Sequence, residues 1–106
     1  MNEKYVLERT GDYYQNLMES LADKKYAVVY LKVALEEYEV DGDSPAFMLA
    51  LRHVAEAQGG LGKLAKKAGL DRVHLYRTLS EKGNPELFTL ESILRALGFR
   101  LSIELI

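Results

Sequence analysis

Basic, aromatic and small apolar side chains are concentrated between residues 61 and 80, and this mixture suits contact with DNA. Arginine can pair with a guanine edge or a phosphate, and valine can touch the methyl group of thymine. Lysine adds affinity for the phosphate backbone without reading base sequence. The candidate DNA-binding residues in this stretch are Lys63, Lys66, Lys67, Asp71, Arg72, Val73, Tyr76 and Arg77.

Two short helices joined by a tight turn must position these side chains. In the first helix, an apolar face is formed by residues that recur at i, i+3, i+4 and i+7, namely Leu61, Leu64, Ala65 and Ala68. Gly69 follows, and glycine readily takes the positive φ angle with which a chain turns sharply off a helix end. The spacing therefore predicts a helix that ends at Gly69.

The second helix has one narrow apolar stripe and turns the rest of its surface outward. Asp71 can accept a hydrogen bond from a backbone amide and so begin the helix. Leu75 and Leu79 lie four residues apart and form the stripe. Thr78 stands where helix pairs of this kind usually bury an aliphatic residue, and Leu79 could supply that anchor instead. A short helix that is buried along one side and exposes polar side chains on the other is what recognition of the DNA major groove requires.

Several of these features also have a structural interpretation. Asp71 would repel phosphate unless it caps the helix or accepts a hydrogen bond from cytosine. Arg77 could pair with Glu81, and Tyr76 could pack over the following turn. The backbone amides after Gly60, which begin the first helix, are a further candidate phosphate contact. An ordinary helical hairpin in an α-helical domain remains the alternative for the pair as a whole.

Charge is distributed unevenly along the chain, although the whole molecule carries only −2. Residues 1–58 contain six basic and eleven acidic side chains, whereas residues 59–82 contain six basic and two acidic ones. Residues 83–106 are close to neutral, with two basic and three acidic side chains. A small basic patch on an acidic body is compatible with a repressor-like protein, which needs only a few phosphate contacts per subunit.

The remainder of the chain is expected to be mainly α-helical. Helical periodicity predicts helices over residues 12–22, 23–39, 45–58 and 90–97. The expected N-caps are Asp12, Ser44 and Thr89. The helix over residues 23–39 has so many apolar positions that we expect it to be buried on more than one side. Residues 1–11 give only a weak indication of a short strand or a packed arm.

The last eight residues alternate apolar and polar side chains through Glu104, which predicts a β-strand. Phe99, Leu101, Ile103 and Leu105 fall on one side, and polar residues separate them. A lone strand leaves its backbone groups unpaired, so it requires a partner. The partner could be residues 1–11, the same strand of a second subunit in a symmetric dimer, or a strand of another protein.

Composition argues against several classes of protein. Because the chain contains no cysteine, disulfides, cysteine-based zinc sites and thiol nucleophiles are excluded. With only two histidines and no nucleophile–base pair or phosphate-binding loop, we expect no metal, no cofactor and no enzymatic activity. No apolar run is long enough to span a bilayer and the first residues lack a secretory signal, so a cytoplasmic location is expected.

Particular segments of the chain resemble a known family. The most specific are LAKKAGLDRVHLYRTLS (residues 64–80), the GNP turn (83–85) and LRALGFRLSI (94–103), with support from YLKVALEE (30–37) and FMLALRHVAEAQG (47–59). They are similar to addiction-module antidote proteins, that is, HigA-like antitoxins with a λ-repressor-like helix-turn-helix of the Cro/C1 type. The resemblance covers about residues 12 to 105.

The resemblance implies a function and partners. Members are usually encoded beside a small toxin of the RelE/ParE type and neutralise it by binding, and they bind operator DNA as dimers to repress their own operon. Because such toxins are generally basic nucleic-acid binders, the N-terminal helices and the acidic segments are the candidate toxin contacts, and five acidic residues are the first to test. Those residues are Glu36, Glu37, Glu39, Asp41 and Asp43.

The implied fold is mainly α. A λ-repressor-like helix-turn-helix domain with one C-terminal β-strand occupies residues 44–106, and an N-terminal arm and helical extension occupies residues 1–43. A prophage-type transcriptional regulator with the same DNA site but no toxin partner is the main alternative function. A protein-interaction module, in which the basic helix pair binds an acidic protein surface, is another. DNA binding that weakens steeply with salt would exclude that last alternative.

Overall fold

The computed structural model describes the backbone of residues 3–106 and the side chains of residues 11–106. This part of the chain is mainly helical, as expected. Within it, six α-helices follow one another: α1 (Glu3–Leu21), α2 (Lys24–Asp41), α3 (Ser44–Ala57), α4 (Leu61–Ala68), α5 (Arg72–Thr78) and α6 (Leu87–Ala96).

α3 is the centre of the fold, because α1 and α2 both pack against it and α4 contacts it as well. α4 in turn packs against α5 and α6. All six helices contribute apolar side chains to one buried cluster, so the helix pair α4–α5 is held by the same core as α1 and α2. The members with no measurable exposure are Leu21, Ala27, Leu51, Val54, Leu75 and Ile93.

Two helices begin at residues other than those expected. The carboxylate of Asp43 accepts a hydrogen bond from the Ala46 amide at 3.2 Å, so Asp43 caps α3 in place of Ser44. α6 begins after Glu86, so Thr89 lies inside the helix and does not cap it. The first shift is one residue and the second three residues, within the usual uncertainty of helix boundaries read from sequence.

The beginning of the chain also differs from the prediction. Residues 3–11 are the first turns of α1, so they do not form a strand, and Asp12 lies inside the helix instead of capping it. The helix was expected to begin at Asp12 because an aspartate side chain can cap a helix start. Residues 1–2 and the expected packing of the side chains of residues 3–10 lie outside the described part of the chain.

α2 is buried on one side only, contrary to the expectation. Ala27 and Leu31 face the core, whereas Tyr26, Val29 and Val33 are about half exposed. Apolar content does not tell how many neighbours a helix has, and α2 packs only on the side of α1 and α3. Its outer face is therefore an exposed apolar surface.

The predicted C-terminal strand is not formed by the described residues. The amide of Phe99 donates to the carbonyl of Leu94 at 2.8 Å and closes the end of α6, with Gly98 at a φ angle of 94°. Residues 100–106 are exposed and have neither helical nor strand structure. A strand exists only through pairing, and the backbone of residues 3–11, one proposed partner, is already helical.

Candidate nucleic-acid interface

α4 and α5 form the expected helix pair, with the turn at Gly69. Gly69 has a φ angle of 69° and its amide donates to carbonyl groups at the end of α4. The amide of Leu70 donates to the carbonyl of Ala65 at 2.9 Å. These bonds satisfy carbonyl groups that the helix end would otherwise leave free, and they explain why glycine stands here.

Asp71 caps α5, which was one of the two roles considered for it. Its carboxylate accepts a hydrogen bond from the His74 amide at 3.0 Å, and its backbone is extended. A negative charge is favourable at the positive end of a helix. The cap therefore accounts for an acidic side chain within the basic segment.

The buried side of α5 determines which residues face outward. Leu75, Thr78 and Leu79 are buried beneath the helix. The candidate DNA-binding residues on the opposite, exposed side are Arg72, Val73, Tyr76 and Arg77. Contact with DNA requires this exposure, and the contact itself remains a prediction.

Thr78 occupies an aliphatic position without leaving a polar atom unsatisfied. Its hydroxyl donates to the carbonyl of His74 at 2.9 Å, one turn earlier in the same helix. Leu79 is buried as well, so it adds to the anchor instead of replacing it. A buried hydroxyl is tolerated because the helix itself supplies its acceptor.

Two of the three candidate lysines lie at one cleft. Lys63 and Lys67, four residues apart, line a cleft of about 180 Å³ together with Lys24 of α2. Lys66 lies on the face of α4 that it shares with Gly62. A Cβ atom at Gly62 would stand 4.0 Å from Nε of Arg72, so this second face adjoins α5.

The cleft beside Lys63 is a candidate phosphate site. Gly60, which precedes α4, lines the same cleft, and no side chain caps this helix end. Free amide groups at a helix start attract anions, and ammonium groups around one concavity strengthen that attraction. The expected contact of phosphate with the amides after Gly60 is therefore sterically and electrostatically possible.

Tyr76 is held by Arg52, a residue that reasoning from the sequence did not select. The guanidinium carbon of Arg52 lies 4.5 Å from the centre of the Tyr76 ring. Nε of Arg52 lies 3.3 Å from Oε1 of Glu56, and the hydroxyl of Tyr14 donates to Oε2 of Glu56 at 2.6 Å. These four side chains connect α1 through α3 to the exposed side of α5.

The contacts among these four side chains raise the pKa values of Tyr14 and Arg52. The hydrogen bond to the Glu56 carboxylate raises the pKa of Tyr14, because a phenolate there would face a second negative charge. Interaction with Tyr76 raises the pKa of Arg52. The i, i+4 spacing of Arg52 and Glu56 indicates an ion pair on α3, but the contact with Tyr76 bridges two helices and has no sequence signature.

The two histidines have separate surroundings. Nδ1 of His53 lies 3.0 Å from the Tyr30 hydroxyl, and His74 is exposed on α5. Within residues 11–106, no three His, Asp or Glu side chains are grouped so as to hold a metal ion. A search of the described helices for one long and apolar enough to cross a membrane finds none.

Comparison with known proteins identifies the family. A family model described as a probable addiction module antidote protein matches residues 13–105, which is most of the chain. The chain belongs to this antidote family. An antidote has a toxin partner of some kind, and the resemblance seen in the sequence is confirmed at that level.

One relative of the antidote is a protein of Haemophilus influenzae (strain ATCC 51907 / DSM 11121 / KW20 / Rd) described as uncharacterized. It is 27% identical over 89 residues, which cover 84% of the antidote and 87% of the relative. No solved structure gives a significant match. The relative therefore shares nearly the full length of the antidote but adds no activity to compare.

The acidic residues of the antidote fall into two groups. The side chain of Asp41 accepts a hydrogen bond from the Asp43 amide at 2.8 Å, and the side chain of Asp43 caps α3. Both aspartates therefore stabilise the turn between α2 and α3. Glu36, Glu37 and Glu39 are exposed on α2. The glutamates are thus the members of the acidic run that are free to meet a partner surface.

Proposed function

We propose that this antidote is a HigA-like antitoxin of a type II toxin–antitoxin module. It neutralises a RelE/ParE-type toxin by binding it, and as a homodimer it binds operator DNA and represses its own operon. Its helix-turn-helix is of the λ-repressor (Cro/C1) type, and it is a binding protein and not an enzyme. The observation that carries the proposal is the antidote-family match over residues 13–105.

The DNA-binding half of the proposal is supported by the geometry of α4 and α5. α5 is capped at Asp71 and buried along one side, and it exposes Arg72 and Arg77 on the other. These arginines contact base edges or phosphates of the DNA, while Lys66 and the cleft at Lys63 contact the DNA phosphate backbone. In a dimer, two such helices about 34 Å apart would reach successive half-sites on one DNA face.

The toxin-binding half is supported by the outer face of α2. Tyr26, Val29 and Val33 recur there at i, i+3 and i+7 and are about half exposed. Glu36 and Glu37 continue the same face toward the end of the helix. An apolar stripe that ends in carboxylates matches a partner with an apolar patch and basic residues beside it.

DNA recognition can be tested on DNA upstream of the gene. We expect the double variant Arg72→Ala, Arg77→Ala to lose at least about tenfold in preference for that DNA over a shuffled sequence of equal length. Binding by the unchanged protein should weaken steeply as salt is raised. The measurement is titration of labelled DNA, with circular dichroism to verify that the fold is kept.

A matched control separates base reading from general charge. Lys25→Ala, Lys32→Ala removes the same charge from exposed positions of α2 and should retain the preference. If the arginine variant selects its own DNA as well as the unchanged protein does, α5 is not the reading helix. If DNA is bound but the neighbouring gene product never associates with the antidote, a regulator without a toxin partner is the better description.

A further inference from the structure

The C-terminal tail, residues 99–106, leaves α6 with its apolar side chains uncovered. Phe99 packs partly against the core, but Ile103 and Leu105 are fully exposed. Beyond the amide of Phe99, the described tail makes no backbone hydrogen bond. An extended segment with period-two apolar residues and free backbone groups is a template for pairing with another strand.

We propose that this tail pairs in antiparallel fashion with the tail of a second copy of the chain, about a two-fold axis at Ser102. The inference rests on the proposed homodimer and specifies how its subunits join. A two-fold axis makes the contact self-complementary, so both chains use the same residues.

The charged residues of the tail select this register. With the axis at Ser102, Arg100 lies opposite Glu104 of the second copy, and Glu104 lies opposite its Arg100. Opposite charges on facing strand positions stabilise a pair, and like charges destabilise it. A parallel pairing in register would place Arg100 against Arg100. Moving the axis to Leu101 or Ile103 would separate the arginine from the glutamate.

The apolar residues agree with the same register. Phe99 faces Leu105 of the second copy, and Leu101 faces Ile103, so all of them lie on one side of the ribbon. Since Phe99 already contacts the core of its own chain, Leu105 would be covered beside the core of the other chain. This support matters because an isolated two-stranded ribbon is only marginally stable.

A single cysteine at the axis tests the register directly. The chain contains no cysteine, so Ser102→Cys introduces the only thiol. Facing Cα atoms in an antiparallel pair are about 4.5–5.5 Å apart, within the range of a disulfide. Under mild oxidation this variant should form a covalent dimer nearly completely. In Ile106→Cys the two thiols would be eight residues apart along the paired strands, about 26 Å, and should remain reduced under the same conditions.

A charge exchange tests the pairing without a new bond. We expect Arg100→Glu and Glu104→Arg each to weaken the dimer by about tenfold, because both facing pairs become like-charged. Mixing the two variants should restore dimers, since the mixed pair has only opposite charges. Sedimentation velocity measures both effects.

Three outcomes would overturn the inference. They are equal disulfide formation at positions 102 and 106, no recovery on mixing the charge variants, or an unchanged dimer after deletion of residues 101–106. A chain that becomes dimeric only when its toxin is added would also overturn it. None of these measurements involves DNA, so failure of operator binding is a separate result.

Discussion

Tyr76 lies on the exposed side of α5 with Arg52 against its ring, and this contact limits what the tyrosine can do. The ring is about half exposed, so one part of it remains accessible to DNA. Arg52 is itself fixed by Glu56, which also accepts the hydrogen bond from Tyr14. At the scale of single residues, Arg52 is a positioning residue that holds part of the candidate DNA surface from α3.

Replacing Arg52 measures the strength of that contact. Arg52→Met keeps an apolar stem but removes the guanidinium, and we expect it to lower the free energy of unfolding by about 0.5–1 kcal/mol. Arg95→Met is the matched control, because Arg95 forms an i, i+4 ion pair with Glu91 at 3.1 Å on the surface of α6. Its effect should stay below about 0.5 kcal/mol in the same urea titration. Equal losses would show that the contact with Tyr76 adds no stability.

The end of α5 is held by close backbone packing. The amide of Gly83 donates to the carbonyl of Ser80 at 2.9 Å. A Cβ atom at Gly83 would lie 1.7 Å from the carbonyl oxygen of Thr78, which is far inside any allowed contact. Gly83 is therefore required by the approach of two backbone segments, and the turn after α5 cannot accept a larger residue without moving that helix.

Substitution of Gly83 should destabilise the turn after α5. We expect Gly83→Ala to lower the free energy of unfolding by about 2 kcal/mol or more, because the turn must shift away from α5. Gly11→Ala provides the contrast, since Gly11 lies inside α1 and nothing stands within 4 Å of the added methyl group. That change should raise stability by about 0.5–1 kcal/mol through helix propensity. Thermal unfolding of both variants measures these changes in stability. A Gly83→Ala variant as stable as the unchanged protein would contradict the close packing of Gly83 against Thr78.

At the scale of the whole molecule, two surfaces of different chemistry share one core. The basic residues of the helix pair lie on α4 and α5, while the exposed apolar and acidic face lies on α2. α3 packs against both α2 and α4 and so lies between the two regions. The two faces are therefore separate candidates, one for DNA and one for a protein partner.

Charge reversal on α2 should affect the two surfaces differently. We expect Glu36→Lys, Glu37→Lys to weaken binding of the co-expressed toxin by at least about tenfold, through repulsion of a basic partner. Selection of operator DNA over a shuffled sequence should be unchanged. Glu86→Lys, Glu91→Lys, at the N-cap of α6 and within that helix, carries the same charge change and should bind toxin normally. Toxin affinity is measured by titration calorimetry, and equal loss in both variants would place the toxin elsewhere.

The features that could be predicted from the sequence are those that depend on neighbouring residues. The helix pair follows from helical periodicity, and its turn follows from the backbone freedom of Gly69. The cap at Asp71 follows from a hydrogen bond between its side chain and a backbone amide three residues later. The exposure of Arg72 and Arg77 follows in turn from the stripe at Leu75 and Leu79. Most of the candidate site could therefore be predicted from the sequence alone.

Features that depend on distant residues were decided only by the tertiary structure. It placed Lys63 and Lys67 beside Lys24 of α2 at one cleft, brought Arg52 to Tyr76, and left one side of α2 uncovered. The expected strand at residues 99–106 shows the reason. Alternation of side chains makes a segment suited to a sheet, but a strand forms only when another backbone supplies the hydrogen bonds. One of the expected partners, residues 3–11, has a helical backbone in α1.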